Sequence, residues 1–291
     1  MSVAGQRLAP VFEAPPDPSH RREFILTDSD FLRVRRMIYQ RAGIALSEQK
    51  REMVYSRLSR RLRELDMTEF TSYLTNLDDN KNSREWEEFT NALTTNLTSF
   101  YRESHHFPLL AAHASQCTQP MTVWCSAAST GEEPYSIAMT LIEALGGRAS
   151  QAKVIATDID TQVLKKAVTG IYTVDQVSKI SPERLKRFFL KGTGAQAGLV
   201  KVRPEVMAMV SFFPLNLLEH QWPLKDPFDA IFCRNVMIYF DKPTQAKILQ
   251  RFTNLMKPQG LLFAGHSENF SDISAAFRLR GQTVYSFEGK C

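Results

Sequence analysis

The sequence predicts an α/β protein in which a small all-helical domain precedes an open, mostly parallel sheet that carries a small antiparallel insert. Two observations lead to this prediction. Apolar residues recur at helical spacing from about residue 27 to residue 96. From Met121 onward, short apolar runs alternate with helical patterns, which is typical of a parallel sheet with helices on both faces.

Length and composition are those of a soluble globular protein. A chain of 291 residues with 43% hydrophobic and 23% charged residues suffices for a large core plus one smaller domain. The four cysteines show no CxxC spacing, so neither a zinc site nor a disulfide framework is indicated, and no metal is expected. We find no signal-peptide pattern and no run of roughly 18 apolar residues. We therefore expect a reduced, cytoplasmic protein.

The N-terminal region divides into a tail and a helical domain. Residues 1–22 are rich in proline and lack periodicity, which predicts a mobile tail. Residues 23–95 are predicted to form the helical domain. Its first helix ends at Gly43, and Ser47 is predicted to cap the second helix.

Positive charge is concentrated on the first two helices. Between Arg33 and Arg63, ten basic residues face two acidic residues, a net charge of +8. Arg57, Arg60 and Arg61 lie on the second helix, away from its apolar stripe. The excess of arginine over glutamate suggests a face that steers an acidic macromolecule into a neighbouring site. A solvated helix surface is the alternative.

The stretch VWCSAASTGEEPY, residues 123–135, predicts a strand, a turn and a helix that begins at Pro134. Such a turn brings unpaired N–H groups to a ligand, but it lacks the glycines that let a pyrophosphate approach the backbone. Glu132 and Glu133 would repel a pyrophosphate and would suit an ammonium group or ribose hydroxyls instead. An ordinary turn with acidic first-turn residues, favoured by the helix dipole, remains open.

Polar residues follow two further predicted strands. Asp158 closes the second strand, where such folds hold ribose hydroxyls, although it is equally suited to cap the next helix. Arg234 and Asn235 follow the apolar strand from Phe228 to Cys233, and Tyr239 lies just beyond. Because open parallel sheets bind ligands at the carboxyl ends of their strands, we expect these side chains to lie on one edge.

Four other features carry two interpretations each. Asn216, alone in an apolar run, suits an adenine edge or a strand-end turn. The loop NLTSFYR, residues 96–102, is a ligand-contacting loop or an interdomain linker. The glycine-rich segment at about 191–214 predicts an antiparallel insert that accepts an extended peptide or is a simple excursion. His266, at a strand end, is catalytic or, as is more common, structural. A final hairpin-like pair is predicted near residues 277–287.

Five stretches together resemble one family. They are NALTTNLTSFYRE, SAASTGEEPYSIA, ATDID, FDAIFCRNVMIYFD and GLLFAGHSENF, in this order along the chain. They resemble the chemotaxis receptor methyltransferases of the CheR family, which are S-adenosylmethionine-dependent protein-glutamate O-methyltransferases. The resemblance covers roughly residues 25 to 288. It implies a seven-stranded class I methyltransferase sheet of the Rossmann-like type over residues 96–291.

The resemblance also implies roles for individual residues. Asn96, Thr98 and Arg102 would come from a loop that closes over S-adenosylmethionine. Glu133 would hold the polar end of this cofactor, Asp158 its ribose, and Asn216 and Leu217 its adenine region, while Arg234 and Asn235 complete the pocket. Arg102 and Tyr239 would lie nearest the transferred methyl group and act as the catalytic residues. The product would be S-adenosylhomocysteine.

The implied partners are methyl-accepting chemotaxis receptors. Arg57, Arg60 and Arg61 would meet the receptor near its methylation site, and the β insert would in some members dock a C-terminal pentapeptide. We expect a monomer that neither binds nucleic acid nor inserts into a membrane. The competing hypotheses are a non-catalytic adaptor that binds the adenosyl ligand and a nucleic-acid methyltransferase that uses the arginines as phosphate contacts. A nicotinamide oxidoreductase is disfavoured because the pyrophosphate glycines are missing.

Overall fold

A computed structural model describes residues 22–225 and 227–289 of the protein. The predicted tail, residues 1–22, therefore lies outside the described residues except at its last position. Within the described ranges, no helix has the length and apolar character that crossing a membrane requires.

Four helices form the N-terminal region, as the apolar periodicity predicts. They are α1 (Asp28–Ala42), α2 (Arg51–Glu64), α3 (Phe70–Asp79) and α4 (Glu85–Leu93). Thr27 and Asp30 form a capping box at the start of α1, and Gly43 ends it in the left-handed conformation. The predicted cap at Ser47 is wrong. A 3-10 turn from Glu48 to Lys50 leads into α2 instead, and the Ser47 side chain makes no capping hydrogen bond.

The remaining chain alternates helices and strands. In order they are α5 (His106–Gln116), β1 (Met121–Cys125), α6 (Glu132–Leu145), β2 (Ala152–Asp158), α7 (Thr161–Thr169), β3 (Ile171–Thr173), α8 (Pro182–Phe188), β4 (Phe189–Lys191), β5 (Leu199–Val202), α9 (Pro204–Met207), β6 (Val210–Pro214), β7 (Phe228–Cys233), α10 (Lys242–Thr253), β8 (Met256–Ala264), β9 (Phe277–Gly281) and β10 (Val284–Phe287). The described residues thus form the predicted α/β architecture.

The main sheet has seven strands in the order β6-β2-β1-β7-β8-β10-β9. The strands from β6 to β8 run parallel, while β10 and β9 are antiparallel and form the predicted terminal hairpin. This confirms the open, mostly parallel class I sheet. Because β1 pairs with β2 on one side and with β7 on the other, the strand order reverses at β1. A crevice opens beyond the carboxyl ends of strands at such a point.

A second, antiparallel sheet has the order β3-β5-β4. The antiparallel insert is therefore present, but its predicted bounds at about 191–214 are wrong. Its first strand begins at Ile171, and the segment Val210–Pro214 is instead the edge strand of the main sheet, parallel to β2. The helix α8 stops at Phe188, because the chain then extends to pair with β5.

The core lies on both faces of the main sheet. Along β1, Val123 and Cys125 belong to the apolar cluster beneath α5 and α6, while Trp124 belongs to the cluster on the opposite face with α10. Every residue of β7 is buried. A strand covered on both faces is largely apolar, which explains the composition of residues 228–233; the exception, Asp229, pairs with Lys257 at 2.9 Å.

The helical domain lies against the loops at the carboxyl edge of the sheet. Among the hydrogen bonds that join the two regions, Tyr39 Oη donates to Asp241 at 2.5 Å, the Ala45 N–H to the Tyr239 carbonyl at 2.9 Å, and Asn216 Nδ2 to the Arg41 carbonyl at 2.8 Å. The connection between α1 and α2 is thereby held over the crevice.

Candidate active site

One cavity of about 400 Å³ opens at the carboxyl ends of β1, β2 and β7. It is lined by all ten residues that the sequence assigns to cofactor binding or catalysis: Asn96, Thr98, Arg102, Glu133, Asp158, Asn216, Leu217, Arg234, Asn235 and Tyr239. The segment from Ala42 to Lys50 of the helical domain contributes further lining. Both domains therefore build the cavity.

The turn after β1 places two carboxylates at the start of α6. Gly131 has a φ of +98°, and an added Cβ there would lie 2.7 Å from the Tyr172 hydroxyl oxygen. The helix begins at Glu132, two residues earlier than predicted. Glu132 turns away to Thr130, whose hydroxyl donates to it at 2.6 Å, whereas Glu133 lines the cavity.

Glu133 and Arg234 form a buried ion pair between the ends of β1 and β7. Arg234 Nη1 lies 2.7 Å from Glu133 Oε2, and the Cys125 thiol donates to the other carboxylate oxygen at 3.2 Å. Burial raises the pKa of Glu133, and the Arg234 guanidinium opposes that shift. The pair thus joins the two strands at which the sheet order reverses.

Asp158 is buried at the end of β2 and faces the cavity. Its carboxylate accepts hydrogen bonds from the backbone N–H groups of Ser129 at 2.8 Å and Asp160 at 2.9 Å. Burial raises its pKa to about 6, and these N–H groups oppose the shift. Asp160 caps α7 by accepting from Gln162 N, so the interpretation of Asp158 as the cap is wrong.

The Asn216 amide serves the strand-end turn. Its Oδ1 accepts from the Leu218 N–H at 2.9 Å, and its Nδ2 donates to the Arg41 carbonyl. One N–H and one lone pair remain for a ligand. Leu215 and Leu217, both buried, and Ile159 give this end of the cavity an apolar wall.

The loop before α5 packs against the site. Asn96 Nδ2 donates to Asp160 at 2.7 Å, and the Ser129 hydroxyl donates to the Asn96 carbonyl at 2.9 Å. Arg102 Nη1 donates to the Leu97 carbonyl at 2.7 Å. The loop therefore forms a wall of the cavity as well as a connection between domains.

Two carboxylates that support the site were not singled out from the sequence. Glu268 is buried and accepts hydrogen bonds from the N–H groups of Gly265, Asn235, Met237 and Ile238, at 2.5 to 3.3 Å. Glu103 lies 3.4 Å from Arg234. Burial acts to raise the pKa of Glu103, but the Arg234 guanidinium and hydrogen bonds outweigh it and lower this pKa to about 2. Both belong to stretches that carry the family resemblance, and that was the available signal.

His266 is an exposed partner of Glu103. Its Nδ1 lies 3.1 Å from Glu103 Oε1, and its side chain is not among the residues that line the cavity. This placement favours the structural interpretation of His266.

The basic face of α2 is largely paired. Arg61 forms an ion pair with Glu85 at 2.6 Å and a second with Glu64, and Arg57 donates to the carbonyls of Ala92 and Thr94. Further pairs involve Arg33 with Asp78, Arg51 with Asp28 and Arg63 with Glu23. The predicted lack of compensating carboxylates is therefore wrong, because the partners lie outside the stretch from residue 33 to residue 63.

Arg57, Arg60 and Arg61 nevertheless line one groove of about 370 Å³. This groove adjoins the cavity, since Thr94 and Asn96 line both. Arg60 has 79% of its side chain exposed, against 15% for Arg61. Of the three, Arg60 is the arginine most available to a partner.

The cavity suits S-adenosylmethionine by size and chemistry. Its volume lies in the range of small-molecule sites. Two buried carboxylates, Glu133 and Asp158, match an ammonium group and ribose hydroxyls, and the apolar wall at Leu217 matches a base. A pyrophosphate in the same position would be repelled by the Glu133 carboxylate.

Comparison with known proteins gives two family matches. Residues 29–94 match the CheR methyltransferase all-alpha domain, and residues 96–286 match the CheR methyltransferase SAM binding domain. Among similar proteins, the chemotaxis protein methyltransferase of Klebsiella aerogenes is 61% identical over 260 residues, covering 89% of this chain and 90% of the relative. That of Escherichia coli K12 is 58% identical over 261 residues, with 90% and 91% covered. Chemotaxis protein methyltransferase 2 of Pseudomonas aeruginosa is 52% identical over 268 residues, with 91% and 95% covered.

Proposed function

The chain belongs to the CheR methyltransferase family, and from this premise we propose that it methylates glutamate side chains of chemotaxis receptors. It is a methyltransferase that uses S-adenosylmethionine. The proposal adds the acceptor, a glutamate carboxylate, and the products, a glutamate methyl ester and S-adenosylhomocysteine. Such methylation would adjust receptor signalling during chemotaxis.

One observation carries the proposal: groups suited to the cofactor and groups suited to an acceptor carboxylate line the same cavity. Glu133 and Asp158 are buried within it, whereas Arg102 and Tyr239 are partly exposed. An acceptor that enters from solvent would therefore meet Arg102 and Tyr239 while the cofactor lies deeper.

The proposed binding roles follow from this arrangement. Glu133 would hold the ammonium end of the cofactor, and Arg234, its partner at 2.7 Å, would complete that end together with Asn235. Asp158 would accept hydrogen bonds from the ribose hydroxyls through lone pairs that its backbone contacts leave free. Asn216 and Leu217 would contact the adenine region. Asn96 and Thr98 would cover the cofactor from the loop before α5.

The reaction depends more on alignment of the acceptor carboxylate with the methyl group than on acid–base catalysis. When bound, S-adenosylmethionine supplies a methyl group on a positively charged sulfur. A glutamate side chain is already ionised near neutral pH, so the protein needs no general base. Arg102 and Tyr239 would orient the carboxylate in line and exclude water around it. The Arg102 guanidinium also donates to the Leu97 carbonyl, which limits its hold on the carboxylate and leaves the nucleophile reactive.

The proposed partner is the acidic, helical part of a chemotaxis receptor. Arg60 projects from α2 into the groove beside the cavity and would attract such a segment. The β insert offers β3 and β4 as edge strands, with Leu190 of β4 exposed, and a receptor C-terminal pentapeptide would pair there as an added strand.

Methylation of receptor membranes tests the proposal. The full-length protein is incubated with radiolabelled S-adenosylmethionine and membranes that contain chemoreceptors. We expect base-labile label on the receptor band, because glutamate esters hydrolyse in alkali. Base-stable label would contradict the ester. Label confined to RNA or DNA would favour the nucleic-acid methyltransferase, and binding of S-adenosylhomocysteine without any label would favour the adaptor.

A further inference from the structure

Two large apolar side chains stand exposed where the cavity opens. Leu97 is 79% exposed and Ile238 is 50% exposed, and both line the cavity. None of the other large apolar side chains found exposed among the described residues lines this cavity. Leaving two of them in water beside a binding site costs hydration free energy that a partner recovers when it covers them.

Hydrogen bonds hold the backbone in place at both positions. The Leu97 carbonyl accepts a hydrogen bond from Arg102 Nη1 at 2.7 Å, and the Ile238 N–H donates to Glu268 Oε1 at 3.3 Å. Glu268 is buried and accepts three further backbone N–H groups. A backbone anchored in this way needs little further ordering when a partner binds.

Their neighbours in the chain are residues of the proposed site. Leu97 lies between Asn96 and Thr98, and Ile238 precedes Tyr239. Because Leu97 and Ile238 line the same cavity as Arg102 and Tyr239, a carboxylate that reaches Arg102 and Tyr239 brings the atoms around it towards the two apolar side chains. A free glutamate has no further side chain to offer there, whereas a polypeptide has.

We propose that Leu97 and Ile238 form an apolar rim that selects protein segments in which apolar side chains flank the target glutamate. The inference rests on the proposed function and specifies its substrate class. On a helix, residues three or four positions away project from the same face at about 5 to 6 Å. An apolar residue one turn from the glutamate would thus cover the rim, and a charged residue in its place would lose hydration without gaining a partner.

Steady-state methylation of receptor membranes by Leu97→Ser and Ile238→Ser tests the rim. At saturating S-adenosylmethionine, we expect each variant to raise the KM for receptor by about five- to tenfold and to change kcat by less than about twofold. The affinity for S-adenosylhomocysteine, measured by calorimetry, should match that of the wild type. Leu32→Ser is the matched control, since Leu32 is 57% exposed on α1 and does not line the cavity.

Receptor variants provide a second, independent measurement. Replacing the apolar residue one turn from a methylated glutamate by serine should remove most of the effect of Leu97→Ser or Ile238→Ser, because the two changes delete one contact. Unchanged KM in both enzyme variants, strictly additive effects in this cycle, an equal effect of Leu32→Ser, or a loss confined to S-adenosylhomocysteine affinity would each overturn the rim. A wild-type protein that leaves receptors unlabelled would instead remove the proposed function.

Discussion

Arg102 is a residue at which substitution should affect turnover and cofactor affinity differently. Its guanidinium lines the cavity and is tied to the Leu97 carbonyl by one of its nitrogens. We predict that Arg102→Ala lowers kcat for receptor methylation by about 100-fold, because carboxylate alignment is lost. Affinity for S-adenosylhomocysteine should fall far less.

Arg102→Lys is the informative control for this prediction. Lysine keeps the charge but loses the planar fork, so we expect an intermediate rate. Receptor methylation at the wild-type rate in Arg102→Ala would remove this residue from the mechanism.

Asp158 predicts a pH dependence of cofactor binding. Its pKa is raised to about 6 by burial, and the ionised form is the better acceptor for ribose hydroxyls. Affinity for S-adenosylhomocysteine should therefore be level above about pH 7 and should fall as the pH drops through 6, approaching about tenfold per pH unit. Calorimetric titrations across this range measure the effect.

Asp158→Asn is the matched variant for the pH dependence. The amide cannot ionise, so binding should be weaker and its slope below pH 6 smaller. Any slope that persists in Asp158→Asn would come from another group, of which buried Glu133 is the neighbour with a raised pKa. A level wild-type profile down to pH 5 would contradict the role of Asp158 as an ionised acceptor.

Two adjacent arginines on helix α2 differ in exposure and in their ion-pair partners, so one can test receptor recognition and the other stability. Arg60 is exposed and pairs with Glu64 on its own helix, whereas Arg61 pairs with Glu85 on α4, where both side chains are 15% exposed. We predict that Arg60→Glu weakens receptor methylation several-fold, more at low salt, while S-adenosylhomocysteine affinity and melting temperature stay near those of the wild type.

Arg61→Glu should behave differently from Arg60→Glu. It leaves Glu85 without its cation and sets two carboxylates together, which we expect to cost about 3 kcal/mol of unfolding free energy. Denaturant titration measures this loss.

Arg278→Glu, at an exposed arginine on β9, is the matched control for the charge change. Equal effects of Arg60→Glu and Arg278→Glu on methylation would contradict a specific role for α2.

At the scale of the whole molecule, the sheet edge was predictable from the sequence because it depends on strand order alone. Glu133, Asp158 and Arg234 each follow a strand whose carboxyl end reaches the same edge. They therefore converge in the cavity irrespective of loop conformation. Long-range pairing was not predictable. Arg33 meets Asp78 across 45 positions and Asn216 meets Arg41 across 175, and no local pattern records such contacts. The strand at 210–214 was assigned to the insert for the same reason, since its partner β2 is remote in sequence.

Construction of the cavity from two domains predicts how ligand binding spreads through the molecule. The segment from Ala42 to Lys50 lines the cavity, and the Ala45 N–H donates to the Tyr239 carbonyl on the opposite wall. A ligand that fills the cavity contacts both walls and so stabilises this interface against local opening. We predict that S-adenosylhomocysteine slows hydrogen exchange at residues 42–50 as well as at residues 94–102 and 234–240.

Helix α3 is the internal control for the exchange measurement, because none of its residues lines the cavity. Its exchange should change less than that of the α1–α2 connection, which belongs to the same helical domain. If protection from hydrogen exchange were confined to residues 121–240, cofactor binding would not stabilise the helical domain. Protection at 42–50 would instead make that domain part of the cofactor site, so that receptor contacts on α2 and cofactor contacts at the α1–α2 connection act on one structural unit.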